Sequence, residues 1–355
     1  MVLVSLLDDT CAAIADVDSE AAASTQRLLD GKTKPRRSLG RLEDLACKVA
    51  AITGRSPPPM PSKAIVVMAG DHGVAEEGVS AYPPEVTWQM LLNFAGGGAA
   101  INVLARQVGA RLVVADMGVR GPEPAIAGVR SCRVRTGTDN FVRGPAMRRE
   151  EAVLAIEHGI AIAHELANAG TSLIGIGEMG IGNTTAATAL LAAFSDEPAK
   201  NITGRGTGID DATWTRKVAV IEQALAVNRP AGKSPLDILA ALGGFEIAGL
   251  AGVVLGAAAR RAPVVLDGFI ASTAALCAAR IAPHAGKYLI ASHCSLEVGH
   301  RLVLQLLGCE PLFELGMRLG EGTGAALAMP MVEAALRIVH EMATFAEAQV
   351  TDTGR

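Results

Sequence analysis

Five short apolar runs, rich in branched residues, constrain this chain more than any other feature: Ala64 to Ala69 (AIVVMA), Arg111 to Ala115 (RLVVA), Thr171 to Ile176 (TSLIGI), Pro263 to Leu266 (PVVL) and Lys287 to Ala291 (KYLIA). Their apolar residues are consecutive rather than alternating, so each reads as a strand buried on both faces of a parallel sheet. The Ala- and Leu-rich stretches between them, such as Glu150 to Ala169 and Arg216 to Val227, read as helices. Strands alternating with helices predict an α/β fold built on an open, doubly wound, mostly parallel sheet. The composition suits it: 39 glycines and 50% hydrophobic residues against only 3% aromatic ones favour helices packed close on a sheet.

The ends of the chain read differently. A helix is expected before Gly31, then the basic stretch KTKPRR, a second helix from Leu39 and a Ser-Pro-Pro-Pro linker. After the last strand, Leu315 to Gly324 is glycine-rich and Met331 to Ala348 reads as a helix. At 355 residues the chain has room for two domains. The division expected is residues 1–60 as the N-terminal helical part of a small domain, 61–312 as the large sheet domain, and 313–355 as the loop and helix that complete the small one.

Charge and hydropathy exclude several classes. A net charge of −4, from 32 basic and 36 acidic side chains, gives no field for nucleic acid or an anionic membrane. The longest apolar stretches, such as Leu250 to Ala259, fall well short of the ~20 residues that cross a bilayer. The N-terminus meets acid within nine residues and has no positive n-region, so a cytoplasmic protein is expected. Six dispersed cysteines, with no CxxC pair, read as reduced thiols. His158 and His164, six apart, do not share a helical face as metal ligands would.

Each predicted strand is followed by polar side chains beside glycine or another short residue: Asp71-His72-Gly73, Asp116-Met117-Gly118, Gly177-Glu178-Met179-Gly180, Asp267-Gly268 and Ser292-His293. The carboxyl ends of parallel strands form the edge where ligands bind, so these residues are expected to converge on one site. Taken singly, each could equally make a turn or a helix cap. Gly175-Ile-Gly-Glu-Met-Gly180 spells G-x-G-x-x-G, which invites an NAD-dependent dehydrogenase. Against it, Asp196 and Glu197 stand at the distance of the ribose-binding acid without an intervening strand, and Glu178 would oppose a pyrophosphate.

Extended through Ile181-Gly-Asn-Thr-Thr185, the same loop offers glycines, hydroxyls and free N–H groups at a helix start, which suit one phosphate. Gly204-Arg-Gly-Thr-Gly208 is a second such loop, and the following helix carries Lys217, a mobile charge for a phosphate. No GxxxxGK[ST] motif is present, which disfavours an ATPase. PVVLDGFIAST lacks the paired acids of a phosphoribosyl-pyrophosphate signature, so a ribosyl donor would be a simple nucleotide. Tyr82, in a loop before Pro83-Pro84, is a candidate wall for a flat ligand, whereas Trp88 and Phe94 could as well anchor a helix. Glu321 sits between glycines, where burial could tune it as a general base or where it could simply complement a helix dipole. His293-Cys294 are adjacent and point to opposite faces of a strand, so they read as structural.

The segments KPRRSLGRLEDLA, MAGDHGVAEEGVSAYPPEVT, GIGEMGIGNTTAATA, LDGFIASTAAL, SHCSLE and LGMRLGEGTGAALA run through nearly the whole chain. Together they resemble the nicotinate-nucleotide:dimethylbenzimidazole phosphoribosyltransferases, the CobT family, which make the lower-ligand nucleotide of cobalamin. The resemblance implies a homodimer with a Rossmann-like large domain and a small helical domain from the N- and C-terminal segments. It implies transfer of 5-phosphoribose from nicotinate mononucleotide to 5,6-dimethylbenzimidazole or a related base, giving α-ribazole 5′-phosphate and nicotinate, with neither metal nor cofactor. A pyridinium on C1′ leaves as a neutral ring, and attack from the opposite face inverts β to α.

By the same match Glu321 is the catalytic base and Glu178 a second active-site carboxylate. Gly180, Gly182, Asn183, Thr184, Thr185, Gly206, Lys217 and Ser292 would hold the phosphate and ribose, and Tyr82, Met90 and Met179 would line the base pocket. Arg36-Arg37 depart from the Pro-Gly common in the family before Ser-Leu-Gly. A non-catalytic nucleotide sensor using the same loops is the rival from another class.

Overall fold

The computed structural model describes residues 5–121 and 126–351, so the outermost four residues at each end of the expected domain division lie outside the described residues. Six strands, β1 (Lys63–Gly70), β2 (Arg111–Gly118), β3 (Val129–Ser131), β4 (Leu173–Met179), β5 (Val264–Leu266) and β6 (Leu289–Ala291), form one sheet in the order β3-β2-β1-β4-β5-β6. Every pairing is parallel. This is the α/β, doubly wound arrangement expected, with the chain reversing direction across the sheet between β1 and β4.

The central strand shows why the runs lack alternation. Ala64, Val66 and Met68 of β1 face one hydrophobic core, and Ile65, Val67 and Ala69 face another. The first core is covered by helices that include Arg149–Asn168, Phe245–Ala259 and Phe269–Ile281, and the second by Arg41–Thr53, Ala100–Gln107 and the C-terminal helix Thr323–Glu341. Both faces of this central strand are therefore dry. Among the described residues, no helix is long and apolar enough to cross a membrane, and all the cysteines are free.

Two elements differ from the sequence reading. β3 is an additional strand of three residues at the sheet edge, too short to carry a run of its own. The C-terminal helix begins at Thr323 and ends at Glu341, rather than spanning 331–348. Pro330 looks like a helix start, since proline favours the first turn. Here the burial of Ala325, Ala326, Ala328 and Met329 carries the helix through it. Beyond the helix, Thr344 bridges to Lys32 and the Lys32 ammonium reaches the Met342 carbonyl at 2.6 Å, which ties the N-terminal and C-terminal helical segments together.

The helix pair Arg149–Asn168 and Phe245–Ala259 meets through glycines. A β-carbon at Gly159 would overlap the Gly249 carbonyl oxygen, and one at Gly252 would overlap that of Ile156. Backbone atoms cannot swing aside. Alanine at Gly159 should gain about 1 kcal/mol of helix propensity but force the helices apart, an overpacking that costs about 1–3 kcal/mol. Gly159→Ala is therefore expected to lower the urea midpoint, while Gly144→Ala, where nothing lies within 4 Å, should leave it in place.

Candidate active site

The polar residues that follow the strands divide into two groups. Asp116 turns back on its own loop, accepting from the amides of Gly118 and Val119 at 2.9 and 2.8 Å and pairing with Arg133. Asp71 accepts from the Arg120 amide at 2.6 Å. These two are loop fasteners, the structural alternative, and they do not join the others. Glu178, at the end of β4, Gly268 beyond β5 and His293 beyond β6 line one cleft of about 320 Å³ at the carboxyl edge of the sheet.

Of the residues named from sequence, Tyr82, Glu178, Met179, Gly180, Asn183, Thr184 and Gly206 line this cleft. Lys217 lies beneath it, 1% exposed, and donates to Thr184 Oγ1 at 2.8 Å. Gly206, held at φ +50°, brings its backbone against the same ammonium and hydroxyl. The two glycine loops and the lysine thus meet at one spot, although Thr184 and Lys217 are 33 residues apart in sequence. Burial pushes the Lys217 ammonium down to about 8, and the Glu297 carboxylate opposes that shift. An ammonium so placed gains from an incoming anion.

Gly182, Thr185, Ser292 and Met90 are not among the lining residues. Gly182 precedes the helix Asn183–Ser195 at φ +97°, where it packs on His72, and Thr185 is fully buried within that helix. Ser292 continues inward from β6, with no exposed surface and its hydroxyl directed at the Asp267 carbonyl. Ser295, three residues further on, lines the cleft instead, together with His293, Glu297 and Arg318. Arg318 donates to the Gly206 carbonyl at 3.0 Å. Met90 packs against the second core. Trp88 and Phe94 likewise serve packing, while Tyr82 is half exposed at the cleft.

Glu321 adjoins the cleft through its neighbour Gly320 and is itself 5% exposed. Its amide donates to the Glu178 carbonyl at 3.2 Å, and its carboxylate accepts from the Ile101 amide at 3.3 Å, at the start of another helix. Gly320, Glu321 and Gly322 all have positive φ, at 88°, 63° and 87°. For the glutamate that conformation costs ~1–2 kcal/mol. It is held because the following turn is pinned on several sides, including Thr323 Oγ1 on the Gly320 carbonyl at 2.8 Å.

Two buried carboxyls thus stand side by side. Burial, aided by the Asp267 and Glu246 carboxylates, pushes Glu178 up to about 8, against the opposing hydrogen bond from Asn183 Nδ2. Burial also raises Glu321, while the Ile101 amide opposes the shift. Near neutral pH Glu178 is largely a protonated donor. Two neighbouring acids with raised proton affinity in a cleft are a mark of acid–base sites. Below them His72 Nε2 and Glu246 Oε1 pair at 2.6 Å with both side chains fully buried.

The G-x-G-x-x-G motif has a different use from the dehydrogenase one. Gly175 and Gly177 lie inside β4, not in a loop. A β-carbon at Gly177 would collide with the backbone of Glu321 and Gly322, and one at Gly180 with the Gly70 carbonyl. Gly175 and Gly177 admit the C-terminal segment to the sheet, and Gly180 lets the end of β4 close on β1, so the motif serves packing rather than a pyrophosphate.

Comparison with known proteins agrees with this geometry. Residues 14–350 match the phosphoribosyltransferase family. The nicotinate-nucleotide–dimethylbenzimidazole phosphoribosyltransferase of Desulforamulus reducens is 54% identical over 349 residues, 98% of this chain and 99% of that protein. The protein of the same name from Roseiflexus sp. is 55% identical over 348 residues, 98% of this chain and 99% of its own. The crystal structure of CobT from Thermus thermophilus superposes with a TM-score of 0.90 at 46% identity, covering 94% of this chain and 99% of that one. This chain belongs to the nicotinate-nucleotide:dimethylbenzimidazole phosphoribosyltransferase family.

Proposed function

We propose that this enzyme transfers 5-phosphoribose from nicotinate mononucleotide to 5,6-dimethylbenzimidazole or a related base, releasing nicotinate and giving α-ribazole 5′-phosphate. The observation that carries the reading is the meeting, at one sheet edge, of a buried ammonium on Thr184 with two carboxyls whose proton affinity is raised. Lys217, Thr184, Gly180 and Gly206 grip the phosphate, with the Arg318 guanidinium beside them. Glu178, held by Asn183, serves as a hydrogen-bond donor toward the ribose or base. Tyr82 and Met179 give the flat, apolar wall that a benzimidazole needs.

In the reaction an imidazole nitrogen forms a bond to C1′ from the face opposite nicotinate. The bond from C1′ to the pyridinium nitrogen breaks, and its electron pair neutralises that ring. Glu321 takes the ring proton that the benzimidazole sheds, and burial suits its carboxylate to that role by raising its affinity for a proton. The N-terminal helices and the C-terminal helix are assigned to one small domain, residues 1–60 with 313–355, around the large domain at 61–312. The enzyme acts as a cytoplasmic homodimer, and sedimentation at twice the chain mass would support the dimer.

Glu321→Gln should cut turnover by about 10²–10⁴-fold while nicotinate mononucleotide still binds. Near-normal turnover would remove Glu321 from the chemistry. Lys217→Ala should weaken nucleotide binding by about 1.5–3 kcal/mol, roughly ten- to hundredfold, and leave the dephosphorylated nucleoside unaffected. The pH dependence has a definite sign. Lys217 titrates near 8 when the site is empty, and a bound phosphate favours its charged form. Nucleotide affinity measured by calorimetry should therefore fall as pH rises through 8, and more steeply than nucleoside affinity.

A further inference from the structure

We propose that Asp267 is a positioning residue for Glu321, its carboxylate anchoring the turn that carries the base to the end of β5. The inference rests on the reading of Glu321 as the base. Asp267 is the residue after β5 and is 1% exposed. Its Oδ2 accepts from the Gly322 amide at 2.8 Å, and its Oδ1 accepts from the Gly324 amide at 2.7 Å. One carboxylate from the sheet thus fixes both glycine amides around Thr323, immediately after Glu321, at the start of the C-terminal helix. An ionised oxygen at that helix end is well matched to free N–H groups.

Among the described residues the turn has few other ties to the sheet. Thr323 bonds back to Gly320 within the turn, and the Glu321 amide reaches the Glu178 carbonyl. The successive positive φ angles at 320, 321 and 322 are a backbone that relaxes when such ties are lost. Gly324 shows how close the anchor is: a β-carbon there would press on Asp267 Oδ1 and on the His293 ring. His293 Nε2 stands 3.7 Å from Oδ1, and Ser292 Oγ donates to the Asp267 carbonyl at 3.4 Å.

Asp267 also acts through its charge. Glu321 faces Asp267 from β5, Glu178 from β4 and the Ile101 amide from the helix Ala100–Gln107, with Glu246 and His293 one group further out. Of these the Asp267 carboxylate raises both Glu321 and Glu178. A neutral side chain at 267 therefore loosens the turn and lowers the proton affinity of the base together.

The test is Asp267→Asn, read by steady-state kinetics over a pH series and by calorimetric binding of nicotinate mononucleotide. The expected result is a kcat lower by about 10- to 100-fold, unchanged nucleotide affinity, and an acid limb of the pH profile moved to lower pH. A double variant with Glu321→Gln should lose no more than Glu321→Gln alone. Unchanged kcat, or an unmoved acid limb with kcat and nucleotide affinity falling together, would overturn the proposal. If Asp267→Asn does not fold, Asp267→Glu decides: retained nucleotide binding with lost turnover supports the anchor, and full turnover refutes it. Should Glu321→Gln itself keep turnover, the base assignment falls. If Glu321→Gln is inactive and Asp267→Asn is not, only the positioning role falls.

Discussion

The backbone at Glu321 and Gly322 lies so close to β4 at Gly177 that no β-carbon fits between them. That approach decides where the C-terminal segment can sit. With Gly177 bare, the Glu321 amide reaches the Glu178 carbonyl and the Asp267 carboxylate reaches the next turn. Both carboxyls proposed for the chemistry are then neighbours, one at the end of a strand and the other on a loop from a distant part of the chain. A side chain at Gly177 would separate them. The sheet thus sets its own strand glycine as the reference from which the site is measured.

More acid than base is buried at and beneath the cleft. Glu178, Glu246, Asp267 and Glu321 crowd the β4–β5 side, while Lys217 and Arg318 stand near Gly206. Mutual repulsion and burial keep part of the acidic cluster protonated, which limits the charge the fold must hold in a dry place. The division matches a substrate with an anionic phosphate at one end and, at the other, a ring that must exchange a proton.

Much of the architecture was legible because each buried strand is a dense apolar run. AIVVMA and RLVVA need both faces covered, and only helices on either side of a parallel sheet do that. β3 was not legible, since three edge residues, VRS, leave little pattern. Within the site, Lys217 and its two loops could be read from glycine, hydroxyl and charge. Ser292 and Ser295 could not be told apart, because which serine faces the cleft depends on where β6 releases the chain. Arg318 and Glu297 lay inside the quoted segments LGMRLGEGTGAALA and SHCSLE, but nothing local distinguished them from solvated charges. Asp71 and Asp116 carried the same signal as Asp267, but Asp116 fastens its own loop and Asp71 the loop after β2, a difference fixed only by the tertiary partner each one meets.

The tie between Lys32 and the chain near Met342 and Thr344 has a consequence for the order in which the protein matures. All six strands are synthesised before the turn at Gly320–Gly324. A nascent chain can therefore assemble its phosphate grip while the wall bearing the second carboxyl is still inside the exit tunnel. Chemistry waits for the helix after that turn to dock and for its far end to clasp a segment synthesised long before it, so catalytic competence is among the last properties the molecule acquires.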